Sequence, residues 1–162
     1  MKKIMTTQGL VAIVDDIDYP LVSVYNWQAK KRGKTYYAVR QQIIDGKPCE
    51  VAMHRQIMNA EKGQHFDHIN HNAMDNRRLN LRPCSRSQNM GNMISVTGSS
   101  KYKGVSWKTQ NKCWVVQIQH KKRKIHLGCY HNECVAAHAY DTAALRLFGS
   151  FASINFPNQQ AG

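Results

Sequence analysis

The chain has 162 residues, enough for one ordinary domain or two small ones, and 42% of them are apolar, so it should fold. Twenty-three Lys and Arg against ten Asp and Glu give a formal net charge of +13, which suits a polyanionic partner and argues against an acidic, solvating tail. The five cysteines are scattered without a C-x-x-C pair, which excludes a disulfide framework and a structural zinc ribbon and points to a reducing, cytoplasmic location. No signal peptide or membrane span is expected, because Lys2 and Lys3 lead into a polar segment and no long apolar run follows. The excess charge is spread: residues 1–92 carry 14 basic and 8 acidic side chains, and residues 93–162 carry nine and two.

In chain order, Leu10–Val14, Tyr36–Gln42 and Val51–His54 read as short strands, with a small core around Leu21, Val24 and Trp27. Gln64–His68 reads as a strand running into a polar loop, His71–Asn76, and Leu81–Cys84 as its return strand. Ser85 and Gln88 then form a capping box for a helix. The stretch 93–101, with its Gly-Ser-Ser core, reads as a flexible linker. Beyond it, Lys103–Trp107, Cys113–His120 and Lys124–Tyr130 are strand-like. Period-two alternation places Trp114, Val116, Ile118, Ile125 and Leu127 on one face and Gln117, Gln119, Lys124 and His126 on the other. A closing helix is expected from an N-cap at Asn132 to a stop at Gly149. Its stripe of Val135, Ala136, Ala139, Tyr140, Ala143 and Leu147 should cover the apolar face. The fold class is therefore α+β.

Three features of the strand-loop-strand-helix segment carry chemistry: the pair Asp67-His68, then Asn80, then Asn89 in the first helical turn. Phosphodiester hydrolysis needs a base for the attacking water and a hard cation to stabilise charge on the phosphate and the leaving oxygen. Asp67 and Asn89 offer a carboxylate and an amide oxygen to such a cation, and His68 suits the base. Asn80, both donor and acceptor, suits pinning the loop that aims His68. Adjacent strand residues point to opposite sides, so the strand should end at this pair. Taken singly, each residue has a plainer reading as a turn or solvated position. The joint arrangement, with Arg77 and Arg78 in the loop, favours chemistry.

Residues 67–82, Asp-His-Ile-Asn-His-Asn-Ala-Met-Asp-Asn-Arg-Arg-Leu-Asn-Leu-Arg, then Ser85-Arg-Ser-Gln-Asn-Met-Gly-Asn92, closely resemble the His-Asn-His homing endonucleases of phages and their introns. Met53-His-Arg-Gln-Ile-Met58 is similar to the same family, and the likeness covers roughly residues 10–92. It implies a ββα-metal nuclease module in which the position of His68 activates water, those of Asp67 and Asn89 bind Mg²⁺ or Mn²⁺, and that of Asn80 orients the histidine loop. The third motif residue is Asn89, where the name of the class has histidine. Asn92 is a competing ligand, His71 stands where glycine is expected, and His54 reads as structural or phosphate-contacting.

Residues 101–157 resemble the plant ethylene-response-factor type of DNA-binding domain through Tyr102-Lys-Gly-Val105, Trp114 to Ile118, Leu127-Gly128, Ala136 to Ala144 and Asn155-Phe-Pro157. That likeness implies a three-stranded antiparallel sheet packed on one helix and laid in the major groove of duplex DNA, with contacts from Lys103, Ser106, Gln117, Gln119, Lys124 and His126. Trp107 and Trp114 read as core. The expected organisation is a nuclease module over 1–92, a linker over 93–101 and a DNA-binding domain over 102–157. The expected activity is metal-dependent nicking of duplex DNA by a monomer, leaving 5′-phosphate and 3′-hydroxyl ends. The main rival is an inactive DNA-binding transcriptional regulator, and a structure- or RNA-directed nuclease is a third reading.

Overall fold

A computed structural model describes residues 1–33, 35–92 and 98–157. It is α+β, built from small antiparallel sheets and four α-helices, and it divides into two compact units, Met1–Ser85 and Arg86–Gly162. The division falls before the helix that follows Ser85. Residues 93–97 of the expected linker lie outside the described residues.

The first unit opens with a hairpin of β1 (Lys2–Met5) and β2 (Val11–Val14). A single turn, α1 (Tyr19–Ser23), has Pro20 as its second residue, and the fixed φ of proline suits a first helical turn. A three-stranded meander follows: β3 (Gln28–Arg32), β4 (Thr35–Ile44) and β5 (Lys47–Ala52). The β4–β5 turn is Asp45-Gly46, both at positive φ, which matches the right-handed twist of the strands it joins. Then come α2 (Met53–Ile57) and the pair β6 (His65–His68) and β7 (Leu81–Cys84). The core gathers Ile4, Ala12, Val14, Val22, Trp27, Ala38, Met53, Ile57, Met74 and Leu81. Trp27 is at its centre, with its indole N–H donating to the Val22 carbonyl at 2.8 Å.

Two expectations need correction here, and two strands were not foreseen. Val22 is the buried residue beside Trp27, while Leu21 and Val24 are exposed, because the short helix turns Val22 inward. His54 lies on α2, not on a strand; β5 ends at Ala52. The strands Lys2–Met5 and Gln28–Arg32 were not anticipated, since each is lysine-rich and mostly exposed.

The second unit holds α3 (Arg86–Asn92), a sheet of β8 (Val105–Lys108), β9 (Cys113–His120) and β10 (Arg123–Tyr130) in the order β10-β9-β8, and α4 (Glu133–Phe148). Asn132 caps α4 by accepting from the Cys134 and Val135 amides at 2.9 and 3.1 Å, and Gly149 at φ 55° ends it. Val105, Val116 and Ile118 pack on Ala136, Ala137, Tyr140, Ala144 and Phe148. The buried stripe of α4 is rotated by about one residue from the expected one: Val135 is exposed, while Ala137 and Asp141 are buried. Alanines at 136, 137, 139, 143 and 144 satisfy either register, and the Asp141 carboxylate decides by accepting from Asn155 and the Phe156 amide. Gly91 lies against the Phe148 ring, where a Cβ would come within 2.6 Å, and its carbonyl accepts from Lys103 Nζ at 2.7 Å and Ser153 N at 3.2 Å. Helix α3 is thus fastened to its own unit by contacts that leave no room for a side chain at 91.

The Gly-Ser-Ser stretch, expected to be loose, is held as well. Ser99 Oγ accepts from the Trp107 amide at 2.7 Å, and buried Ser100 donates to Glu133 at 2.7 Å. Composition does not distinguish serines with partners from linker serines. The β9–β10 turn is Lys121-Lys122, both at positive φ (46° and 66°), a conformation that side chains other than Gly, Asn and Asp adopt at a cost.

Candidate active site and nucleic-acid interface

Strand β6 ends at His68, and the chain turns at once: the His71 amide donates to the His68 carbonyl at 3.0 Å, with His71 at φ 61°. That left-handed backbone accounts for the expectation of glycine at 71. Asp67 and His68 are both buried. Directly opposite Asp67 in the ladder stands Arg82, whose Nε and Nη2 donate to Asp67 Oδ2 at 3.0 and 2.8 Å. A cross-strand pair of opposite charge holds the carboxylate in place.

The loop from 69 to 80 is fastened throughout. Its middle joins β2, with Ile13 N donating to the Met74 carbonyl and Asn76 N to the Ile13 carbonyl, both at 2.8 Å. Buried Asn80 accepts from the Asn70 amide at 2.9 Å and donates to the Asp75 carbonyl at 2.7 Å, so one side chain ties both halves of the loop. Buried Asn76 donates to the Met74 carbonyl at 3.2 Å, which turns its Oδ1 toward His68 Nε2, 3.5 Å away. Asn76 was missed in the sequence, because an asparagine in a polar loop reads as a turn residue. His54 was placed only loosely. Its ring lies edge-on to His68 with centroids 5.0 Å apart, and Tyr37 is 6.0 Å from each.

Burial lowers the pKa of His68, against opposing effects from Asn76, Asp67 and Asp75, which favours the neutral imidazole. Burial, followed by the charges of His68, Arg55 and Arg32, pushes His54 down to about 3. Among the described residues no group of three His, Cys, Asp or Glu is placed to hold a metal.

Arg77 and Arg78, expected to face DNA, have partners within the unit. Arg77 forks onto Asp75 at 2.8 and 2.6 Å, and Arg78 onto Asp18 at 2.8 and 2.7 Å. Asn89 lies half-buried on α3 in the second unit, and Asn92 is buried there.

In the second unit, Gln117, Gln119, Lys124, His126 and Ser106 are exposed on one face of the sheet. The register sets Gln119 beside Lys124, Gln117 beside His126, and Val115 beside Ser106. Lys103 is not brought to that face. Its Nζ bonds Gly91, lies 5.8 Å from the Tyr140 ring centroid, and burial pushes its pKa down to about 8. Trp107 and Trp114 meet edge-to-face at 5.1 Å, Trp114 partly buried on the core and Trp107 exposed. From Lys101 to Asn132 the chain has no Asp or Glu, so none of the three strands carries a carboxylate.

The chain is 33% identical over 163 residues to an uncharacterized HNH endonuclease of Acanthamoeba polyphaga mimivirus, covering 91% of this chain and 76% of the relative. The chain belongs to the HNH endonuclease family. This HNH protein is also 43% identical over 63 residues to an AP2/ERF and B3 domain-containing protein of Oryza sativa subsp. japonica, and 44% identical over 59 residues to an ethylene-responsive transcription factor of Arabidopsis thaliana. Those matches cover 39% and 35% of the chain but only 17% and 32% of the plant proteins' own lengths. No protein-family model matches the HNH chain.

Proposed function

We propose that this HNH-family chain is a metal-dependent DNA endonuclease that hydrolyses a phosphodiester at a semi-specific duplex site. As a monomer it nicks one strand per binding event, leaving 5′-phosphate and 3′-hydroxyl ends, in the cell interior where its substrate is. The observation that carries this reading is the buried Asp67-His68 pair at a strand end, with Asn76 Oδ1 facing His68 Nε2. Asn76 Oδ1, facing His68 Nε2, suits the tautomer with its proton on that nitrogen, and a neutral imidazole is the form that can take a proton from the attacking water. Asn80 holds the loop that presents it, and Arg82 fixes the Asp67 carboxylate. The sequence resemblance assigns Asp67 and Asn89 to Mg²⁺ or Mn²⁺, and a carboxylate and an amide oxygen are donor types that suit such a hard cation better than zinc. When bound, the ion supplies charge stabilisation to the phosphate and the leaving oxygen. The sheet of the second unit adds affinity and register through Ser106, Gln117, Gln119, Lys124 and His126. Arg77, Arg78 and Lys103 have the weaker case as DNA contacts, since each is engaged inside its own unit.

The likeness to plant transcription factors favours one second reading, a DNA-binding regulator without nuclease activity. Supercoiled plasmid carrying the protein's own encoding region separates the two. With Mg²⁺ or Mn²⁺, open circles should accumulate before linear DNA, and chelator should stop the reaction. Binding without any cleavage in either metal would establish the regulator. Cleavage undiminished in excess chelator would sink the metal mechanism.

A further inference from the structure

The open face of the β8–β10 sheet carries two carboxamides on its central strand, Gln117 and Gln119. Both are exposed, and among the described residues no hydrogen bond holds either side-chain amide. Nearby groups leave them accessible. Opposite Gln117 on the β8 side stands Gly104, bonded backbone to backbone at 2.9 Å, so no side chain covers the Gln117 amide from that side. Gly104 itself cannot be replaced cheaply: it has φ 76°, and a Cβ would fall 2.0 Å from the Tyr140 ring. The result is a shallow polar depression lined by Gly104, Ser106, Gln117, Gln119 and Lys124. On the β10 side, Lys124 and His126 flank the two glutamines in register.

We infer that Gln117 and Gln119 read two adenines spaced two base pairs apart in the major groove. This rests on the sheet being the DNA-facing surface proposed above. The absence of carboxylates between Lys101 and Asn132 suits the approach of this face to phosphate, and Lys124 and the Lys121-Lys122 turn supply cations beside it. The chemistry of the carboxamide selects the base. It presents one donor and one acceptor in a plane, and the major-groove edge of adenine presents the matching acceptor and donor at N7 and N6. Guanine shows two acceptors there, which would set the glutamine carbonyl against an acceptor and favours Arg or Lys instead. Spacing selects the step. Residues two apart on one strand face are about 6.8 Å apart, and stacked base pairs rise about 3.4 Å each, so alternate side chains meet alternate pairs.

The test is selection of bound sequences from a randomised duplex pool by the full chain in chelator, where binding is read without cutting. Wild-type protein should enrich duplexes with adenines two pairs apart, and guanine at either position should weaken binding about tenfold or more. Gln119→Ala should relax one position only. Gln117→Arg should convert the other from adenine to guanine. Thermal unfolding should be unchanged in both variants, since the side chains are exposed. A selected motif without the adenine pair, or one unmoved by both substitutions, would overturn the assignment of the glutamines while leaving salt-dependent duplex binding intact. Failure of the wild-type chain to bind duplex at all would overturn this inference together with the DNA-facing role of the sheet.

Discussion

The two units use polar side chains in opposite ways. In the first, three arginines fork onto three aspartates (Arg77 on Asp75, Arg78 on Asp18, Arg82 on Asp67), and Asn76 and Asn80 are buried with bonds at both ends of their amides. In the second, the sheet face presents groups that bond nothing among the described residues. Its carboxylates, Glu133 and Asp141, sit on α4, where Ser100 and Asn155 engage them. Proton transfer at a fixed atom requires geometry set before the substrate arrives. Reading a duplex requires donors and acceptors whose bonding capacity is kept for the partner. A shared excess of positive charge thus serves rigidity in one unit and availability in the other.

The largest effect should come from breaking the rigid half. Asp67→Ala should abolish metal-supported cleavage, and His68→Ala should slow it by roughly 10²–10⁴ with DNA affinity nearly unchanged. Single-turnover cleavage alongside filter binding measures both. If His68→Ala cuts at the wild-type rate, the base is another group, with His65 and His71 next to examine.

A smaller effect tests where the available half begins. A fragment of residues 86–162 should bind duplex DNA with a steep salt dependence and melt well above one of residues 93–162. Without α3, Lys103 Nζ and Ser153 N exchange the Gly91 carbonyl for water, at about 0.5–1.5 kcal/mol for each hydrogen bond. Equal melting temperatures would show that α3 adds nothing to that unit.

A separate effect is the acid response of the first unit. His54 has a folded pKa of about 3 against 6.5 for the ordinary group. Between those values the unfolded chain binds a proton that the folded chain does not, so stability falls as the pH drops through 6.5 toward 3. His54→Phe keeps an aromatic ring beside His68 and Tyr37 and should flatten that limb in calorimetric scans against pH. An unchanged limb would assign the acid sensitivity elsewhere.

Much of the second unit was legible from sequence, because alternation on β9 and the Asn132 cap are local signals that the tertiary structure did not override. The α4 stripe was ambiguous for a physical reason: alanine fits two helical registers equally, and a buried aspartate with backbone partners settled the choice. In the first unit the Asp67-His68 and Asn80 positions stood out by residue type. Asn76 did not, since its role depends on a loop folded back against β2. Lys103 was expected on DNA from the resemblance, which aligns residue types and not side-chain partners; its Nζ bonds a glycine carbonyl twelve residues earlier.

Two of the tight hairpin turns differ in how readily their residues take a left-handed backbone. Asp45-Gly46 uses residues that accept positive φ readily, whereas Lys121-Lys122 holds two long cations in the same region of backbone space. Replacing Lys121 and Lys122 with Asn and Gly should raise the melting temperature by a few degrees, since the left-handed backbone is then adopted at less cost. If both lysines contact phosphate, the same change should make the salt dependence of DNA binding shallower by up to about two units of slope. A chain selected only for durability would abandon the lysines. Their presence at the tip sets two of the second unit's cations on its least comfortable backbone.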